Sequence, residues 1–186
     1  MSNYYPTSDC AGGAVPDYTC NPCPDYEYAR IRSIALIKMS YIDTVLAAPT
    51  SPAVWATGVD NGDVVVIYKT QGNYDGGATA ELTGFGDDTT FNGNTTHTLV
   101  YRDPNTVDNC DFYNAIRGSS DYTLAFRTSS KIWFAETSVT LTPKNVVADD
   151  INSVLAWEVS CKWTNNDSPC PYTTPDNIFD TCFVNG

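Results

Sequence analysis

The chain has 186 residues, the length of one ordinary domain whose core can fold without disulfide or metal support. Tyr, Thr, Val, Asn, Asp and Gly are frequent and strong helix formers are few, which is typical of β structure. The formal net charge of −12 argues against wrapping nucleic acid or docking on an anionic membrane, because both need basic patches.

The N-terminal region shows no targeting signal. Its first residues lack the basic and apolar regions of a signal peptide, and no apolar run in the chain is long enough to span a bilayer. The sequence therefore predicts a chain made and used in a cytoplasm, or a mature form without its leader. The initial Met1 favours the first.

Residues 1–27 contain four prolines and no hydrophobic periodicity, which predicts an extended arm. Tyrosines offer large contact area at low entropic cost, and five lie in or next to this segment: Tyr4, Tyr5, Tyr18, Tyr26 and Tyr28. We expect the arm to become ordered against the rest of the chain or against a neighbouring subunit.

The next part of the chain predicts short elements separated by turns. Residues 28–46 fit a helix or a strand, and the alternation of charged and apolar residues favours the strand. Pro49 and Pro52 force a loop, with one helical turn around Trp55. The run Asp60-Asn61-Gly62-Asp63 predicts a tight turn before a central strand at residues 64–69. Residues 72–94 predict a long loop with a short strand at residues 78–83.

The clearest pattern runs from His97 to Trp163. It predicts strands at residues 97–101, 122–128, 131–142 and 154–163, with a helix at about Thr106–Arg117 after the first. Asp103 to Thr106 offer a turn and an N-cap, Gly118 ends the helix, and Phe112 with Ile116 forms an apolar stripe. In the last strand one face is predicted to be buried, made of Leu155, Trp157, Val159, Cys161 and Trp163.

These elements predict a mainly β fold, a β-sandwich or barrel with one short helix between strands. The predicted organisation is an N-terminal arm at residues 1–27, a core domain at 28–164 and a C-terminal arm at 165–186. The C-terminal arm is rich in proline, and Ile178 with Phe179 is predicted to act as its hydrophobic anchor.

No motif predicts catalysis. His97 is the lone histidine, no nucleophile context accompanies it, and we predict a half-buried strand residue. The run Gly84-Phe85-Gly86 lacks the third glycine of a phosphate-binding loop. Acidic turns at residues 60–63 and 87–88 lack the twelve-residue loop of a calcium site. Glu81 with Glu136 or Glu158 would supply paired carboxylates for sugar hydrolysis, but no spacing selects them.

The seven cysteines leave several states open. Cys20 and Cys23 have zinc-knuckle or redox spacing, and a zinc site would need Cys170 and Cys182 as further donors. Unligated thiols, disulfides and a metal site all remain alternatives. Cys110 and Cys161 are predicted to be buried thiols. We predict no catalytic, cofactor-binding or metal site.

The order of elements resembles the subunits of tailed-bacteriophage virions, most of all the tail-tube family and the related secreted tube proteins of injection machines. The strand–helix–strand run from Thr96 to Trp133, the acidic balance and the aromatic arms carry the resemblance. It implies a β-sandwich or barrel, self-assembly into stacked hexameric rings, and a lumen that does not bind DNA.

The resulting prediction is a non-enzymatic virion structural protein, a self-assembling subunit of a phage tail tube. Its expected partners are other copies of itself and neighbouring virion proteins, with no sequence-specific nucleic acid, membrane or cofactor. Assembly is expected in the host cytoplasm. One alternative is a capsid auxiliary or decoration protein of the same kind of virion. Another is a secreted carbohydrate-binding or adhesive β-domain, suggested by aromatic residues and by loops rich in Asn and Asp.

Overall fold

The computed structural model describes residues 18, 21, 26–83, 90–147 and 153–180. Within these residues the chain forms nine strands and three short helices. The strands are β1 (Ile31–Lys38), β2 (Val64–Tyr74), β3 (Ala78–Thr83), β4 (Thr90–Asp103), β5 (Tyr122–Arg127), β6 (Lys131–Phe134), β7 (Thr140–Val146), β8 (Ala156–Thr164) and β9 (Pro171–Thr173). The helices are α1 (Ile42–Ala47), α2 (Pro52–Asp60) and α3 (Cys110–Ala115). The expectation of a mainly β fold is confirmed.

All nine strands belong to one antiparallel sheet. Their order is β7-β8-β4-β2-β1-β5-β6-β9, and β3 pairs with the first half of β4. The choice between a sandwich and a barrel stays a prediction.

A bulge in β2 decides which strand lies beside each part of it. Ser33 of β1 faces Tyr68, whereas Ile31, two residues earlier, faces Gly72, so β2 carries two extra residues between these pairs. Lys69, within the bulge, has φ 59. Such an insertion bends a strand and increases its twist. Among the strands that the structure describes, β2 pairs before the bulge only with β1, and after it Gln71–Tyr74 also pair with β4.

The sheet is buried on both faces where β1 runs through it. Ile34 and Leu36 belong to one core, together with residues of β4, β5, β7, β8 and α3. Ala35 and Ile37 belong to a second core, which α1, α2 and Phe179 cover. Because neighbouring residues of a strand point to opposite faces, β1 is nearly continuous in apolar residues.

The predicted helix between strands exists but is shorter than expected. It spans Cys110–Ala115 with Asn109 as its N-cap, so the N-cap expected within Asp103–Thr106 is wrong. The Asp103 side chain instead accepts a hydrogen bond from the Asn105 backbone N–H and holds a turn before the helix. Ile116 is buried and Phe112 is partly buried against the first core, so the apolar stripe is confirmed.

Several predicted boundaries in the first half of the chain are wrong. The strand expected at residues 28–46 ends at Lys38 and is followed by α1. The helical segment expected at Ala53–Val59 around Trp55 is confirmed as α2, which is one residue longer at each end. Most of the loop expected at residues 72–94 is strand, although the short strand at 78–83 is confirmed as β3. β3 and the first part of β4 are polar and glycine-rich and pair at an exposed edge. Their residues therefore do not alternate between apolar and polar, and this alternation is the pattern by which a strand is predicted from sequence.

In the second half of the chain some predicted strands and buried residues are confirmed and others are wrong. The strand expected at residues 131–142 is two strands, separated by a connection in which Glu136 has φ 62. The buried face of β8 is confirmed from Trp157 to Trp163, but Leu155 lies before the strand and is 43% exposed. Cys161 is buried as expected, whereas Cys110 is exposed, because α3 turns it away from the core.

The C-terminal region packs on the rest of the chain as far as the structure describes it. β9 pairs with β6, and Ile178 and Phe179 are buried beside Trp55, whose ring meets the Phe179 ring edge-on at 5.1 Å. Most of the expected N-terminal arm, residues 1–17, 19–20 and 22–25, lies outside the described residues. No helix among the described residues is long and apolar enough to cross a membrane.

Candidate assembly interface

Half of β2 has an uncovered edge. Residues 64–68 pair with β1 on one side, and no strand in the described part of the chain pairs with their other side. β4, the neighbour of β2 after the bulge, ends at Asp103 and leads into α3. A groove of about 550 Å³ therefore opens between this edge and the segment from Asp103 to Tyr113. We call it the edge groove; Val65–Lys69 form one wall, and Pro104, Asn109 and Phe112 contribute to the other.

A buried polar pair supports the far wall of the edge groove. Asp103 is 3% exposed, and its carboxylate accepts a hydrogen bond of 2.7 Å from the Tyr113 hydroxyl. Burial raises the pKa of Tyr113, and the adjacent Asp103 carboxylate raises it further. Burial likewise raises the pKa of the Cys161 thiol well above its usual range. The Tyr113 hydroxyl and the Cys161 thiol therefore keep their protons at neutral pH, and the Tyr113–Asp103 hydrogen bond ties α3 to the end of β4.

Four cations gather at one end of the edge groove. Lys69 and Arg102 line a depression of about 260 Å³, and Lys69 lines a second, of about 300 Å³, with Arg30 and Arg32. All four side chains are exposed, and none forms an ion pair with another described residue. Glu158 lies opposite Arg102 in the sheet and offsets part of this charge. The end of the groove is still positive in a chain of net charge −12.

Exposed apolar side chains collect at the same end of the sheet, where β4 ends and β8 begins. Val154 also lines the depression beside Arg102. We call this set the end patch, and it consists of Val107 (85% exposed), Val147 (79%), Val154 (70%) and Leu155 (43%). Clustered exposed apolar residues mark interaction surfaces more often than scattered ones do.

The opposite end of β4 carries a different surface. Ala78, Thr79, Ala80, Glu81 and Leu82 are all exposed, although β3 pairs with β4 along this stretch. β8 stops pairing with β4 at Thr96, so the earlier part of β4 has β3 as its only described neighbour. β3 and the first half of β4 thus form a two-stranded hairpin that extends past the rest of the sheet.

The segment before β1 is fastened to the turn between β5 and β6. The Glu27 carboxylate accepts hydrogen bonds from the Ser130 N–H at 2.6 Å, the Ser130 hydroxyl at 2.7 Å and the Thr128 hydroxyl at 2.7 Å. Partial burial acts to raise the pKa of Glu27, but these hydrogen bonds outweigh it and lower the pKa to about 2. Glu27 is therefore a charged clamp at neutral pH.

An aromatic pocket of about 360 Å³ lies next to this clamp. Tyr74, Phe126 and Trp133 line it, and the Phe126 and Trp133 rings are parallel within 4° at 6.1 Å. Behind it, the Tyr74 ring stacks on Trp163 at 5.7 Å and its hydroxyl lies 2.8 Å from His97 Nδ1.

His97 is fully buried rather than half-buried as predicted. Its Nε2 lies 2.9 Å from the Asn165 carbonyl oxygen, which can only accept, so Nε2 carries the proton and donates. In the neutral ring Nδ1 then accepts from the Tyr74 hydroxyl. Both ring nitrogens are occupied, so His97 is a structural residue in a stack of aromatic rings.

The other sequence motifs do not come together in the part of the chain that the structure describes. Asp63 forms an ion pair with Lys38 at 2.9 Å instead of facing a cation. Glu81 lies on β3, Glu136 in the connection between β6 and β7, and Glu158 on β8. Among the described residues, no group of three or more His, Cys, Asp or Glu side chains could hold a metal ion.

Several expectations fall outside the described residues. Cys20, Cys23 and Cys182 lie there, as do the Gly84–Gly86 run and the acidic pair at residues 87–88. Cys170 is described and exposed, as a free thiol.

Sequence reasoning missed the edge groove and the Glu27 clamp. A bulge such as the one at Lys69 depends on the partner strand, and a lone glutamate in a proline-rich segment resembles any solvated carboxylate. The distribution of charge was one available signal. Residues 1–29 contain no Lys or Arg, and Arg30, the first of them, lies in the group of cations at the end of the edge groove.

The chain matches no protein-family model, and comparisons with curated proteins and with solved structures find no similar protein.

Proposed function

We propose that this chain is a non-enzymatic structural protein that self-assembles as a subunit of the tail tube of a tailed-phage virion. The observation that carries the proposal is the pair of unlike surfaces at the two ends of β4. One end has the projecting hairpin, and the other has the end patch and the edge groove. The part of β4 from Thr96, where the hairpin ends, to Asp103 separates them by roughly 23 Å along the strand.

Each surface has a physical reason to bind another protein. The described side chains of β3 are exposed, and a two-stranded hairpin without further packing is marginally stable in water, because it buries too little apolar area. The end patch leaves apolar side chains in water, and the uncovered edge of β2 leaves backbone groups without a strand partner among the described residues.

The placement of these surfaces favours repeated head-to-tail contacts. Unlike surfaces at opposite ends of a subunit make heterologous contacts, and such contacts produce closed rings or open filaments rather than two-fold dimers. Rings that stack into a tube need contacts of this kind. A capsid auxiliary protein of the same kind of virion, the alternative within this class, would use the end patch or the hairpin against the shell instead.

The test is the native mass of the full-length protein, measured by light scattering over a concentration series and followed by electron microscopy. We expect large multimers, and rings or tubes in the images. Val154→Asp places a charge in the end patch and should shift the mass toward the monomer. Thr142→Asp is the matched control, because it adds the same charge at an exposed position on β7.

A wild-type chain that stays monomeric at every concentration contradicts self-assembly. Multimers that Val154→Asp and Thr142→Asp affect equally contradict the role of the end patch. Images of isolated rings without stacking, or binding only to a preformed shell, favour the capsid auxiliary protein over the tube.

The aromatic pocket favours a second candidate, a carbohydrate-binding β-domain. Tyr74, Phe126 and Trp133 form an open, mostly apolar pocket with the amide of Asn73 at its margin, and such pockets hold small ligands. Under this hypothesis the full-length protein binds glycans on an array, and Trp133→Ala abolishes binding while the far-UV circular dichroism stays unchanged. An array without any binding contradicts it.

A further inference from the structure

We infer that the aromatic pocket binds a quaternary ammonium group, a cationic nitrogen that carries only carbon substituents. The ligands are cations of the choline type, free or at the end of a longer molecule. In this site Tyr74, Phe126 and Trp133 supply the aromatic rings and Glu27 supplies the negative charge. The inference goes beyond the proposed self-assembly and does not depend on it.

The first argument is the arrangement of the three rings. Phe126 and Trp133 are directly opposite each other on β5 and β6, so both side chains lie on one face of the sheet. The Tyr74 ring centroid lies 5.3 Å from that of Phe126, and the two rings are inclined by 43°. The three rings therefore form a concave corner instead of a flat surface. The negative face of an aromatic ring attracts a cation within about 6 Å of its centre.

The second argument is that hydrogen bonds fix the walls of the aromatic pocket. The Tyr74 hydroxyl is held by His97 Nδ1 at 2.8 Å. The Trp133 indole N–H makes a long hydrogen bond of 3.5 Å to the Thr128 hydroxyl, which in turn donates to the Glu27 carboxylate at 2.7 Å. Walls that are already in place bind a ligand at a low cost in conformational entropy.

The third argument is charge. Glu27 is the only charged residue among the described residues that line the aromatic pocket, and with a pKa of about 2 it is ionised at neutral pH. Arg32 does not neutralise it there, because Arg32 follows Ile31 on β1 and points to the opposite face of the sheet. The net charge of −12 also raises the concentration of cations around the chain.

The hydrogen bonds of Glu27 select the kind of cation. Oε1 accepts from the Thr128 hydroxyl and from the Ser130 N–H, and Oε2 accepts from the Ser130 hydroxyl. Because each carboxylate oxygen accepts about two hydrogen bonds, Glu27 keeps its charge but has little capacity left for the N–H groups of a primary ammonium. A quaternary nitrogen has no N–H and needs only the charge and the ring faces. For the same reason the pocket suits this cation better than a sugar, whose hydroxyl groups need free hydrogen-bonding partners.

The test measures ligand binding to the full-length protein by saturation-transfer NMR, which is applicable to monomers and to large assemblies. The probes are choline, its unmethylated counterpart ethanolamine, and the uncharged alcohol in which a carbon atom replaces the choline nitrogen. We expect choline to bind with a dissociation constant on the order of 1 mM. Ethanolamine and the uncharged alcohol should each bind roughly ten-fold more weakly. Phosphocholine and trimethyllysine carry the same group on different molecules, and the tighter binder of the two indicates the source of the ligand.

Two variants locate the site. Trp133→Leu keeps an apolar wall but removes the ring, so it should weaken choline binding about five-fold or more. Glu27→Gln should abolish the preference for choline over the uncharged alcohol, whereas a purely structural role of Glu27 would weaken both ligands equally. Glu158→Gln removes the same charge from β8, outside the aromatic pocket, and should change neither affinity. Far-UV circular dichroism verifies that each variant is folded, and the comparison of the three probes on the wild-type chain needs no variant.

Every other outcome overturns the inference. Equal affinity for choline and the uncharged alcohol shows a pocket for apolar groups, and equal affinity for choline and ethanolamine shows attraction between ions alone. Choline binding that Trp133→Leu leaves unchanged lies elsewhere on the chain. Binding of glycans without binding of choline assigns the aromatic pocket to the carbohydrate-binding candidate, and no binding of any probe leaves it without this ligand class. None of these results affects self-assembly, which light scattering measures separately.

Discussion

Replacing Glu27 by glutamine tests how the segment before β1 is held. The carboxylate accepts three hydrogen bonds from Ser130 and Thr128 at 2.6 to 2.7 Å. Glutamine keeps one acceptor oxygen, and its NH₂ group would face donors with which it cannot bond. The Glu27→Gln variant should therefore lose part of the stability of the native chain.

The magnitude follows from the pKa of Glu27. Its ordinary value is 4.5 and its value in the folded chain is about 2. The difference corresponds to at most about 3.4 kcal/mol of unfolding free energy. Because water reaches part of this side chain and screens its interactions, we expect Glu27→Gln to cost about 1–2 kcal/mol at pH 7.

The pH dependence has a definite sign. A carboxyl group whose pKa is lower in the folded chain contributes fully above its unfolded pKa, and this contribution is lost as the pH falls from 4.5 toward 2. The cost of Glu27→Gln should therefore shrink by more than half between pH 7 and pH 3. Urea unfolding at both pH values, at low protein concentration, measures this change.

Glu158→Gln is the matched control, because the Glu158 carboxylate accepts no hydrogen bond from the described residues and the substitution removes the same charge. It should cost less than Glu27→Gln at pH 7. An equal cost for the two variants, or a Glu27→Gln cost that does not change with pH, would refute the clamp.

Two further substitutions test the packing around the groove and the aromatic rings. Tyr113→Phe leaves Oδ2 of the buried Asp103 carboxylate without its donor, while Oδ1 keeps the Asn105 N–H, and should lower the free energy of unfolding by about 1–3 kcal/mol in urea titrations; a neutral result would show that water replaces the hydroxyl. Gly77→Ala combines φ +87 with a Cβ only 2.5 Å from His97 Nδ1, so it should lower the melting temperature more than Gly76→Ala, which has φ +83 and open space around it. If the two variants lower the melting temperature equally, the loss of stability comes from the positive φ angle alone and not from the contact with His97.

Local sequence determined the elements whose residues alternate between core and solvent. The strand from Trp157 to Trp163 and the apolar stripe of Phe112 and Ile116 followed from periodicity, because a face that packs on a core must be apolar at fixed spacing. The mainly β class followed from composition in the same way.

Tertiary structure alone decided how the strands meet and what they leave uncovered. The bulge at Lys69 arises from the register between β1 and β2, and register is a relation between distant segments that no local pattern contains. Glu27 likewise accepts hydrogen bonds from Thr128 and Ser130, which lie 101 and 103 residues away in the sequence. The hairpin of β3 and β4 also depends on pairing between strands, because its polar residues carry no apolar pattern. The candidate interface was therefore beyond the reach of sequence reasoning, since it consists of edges and ends that exist only once the sheet has formed.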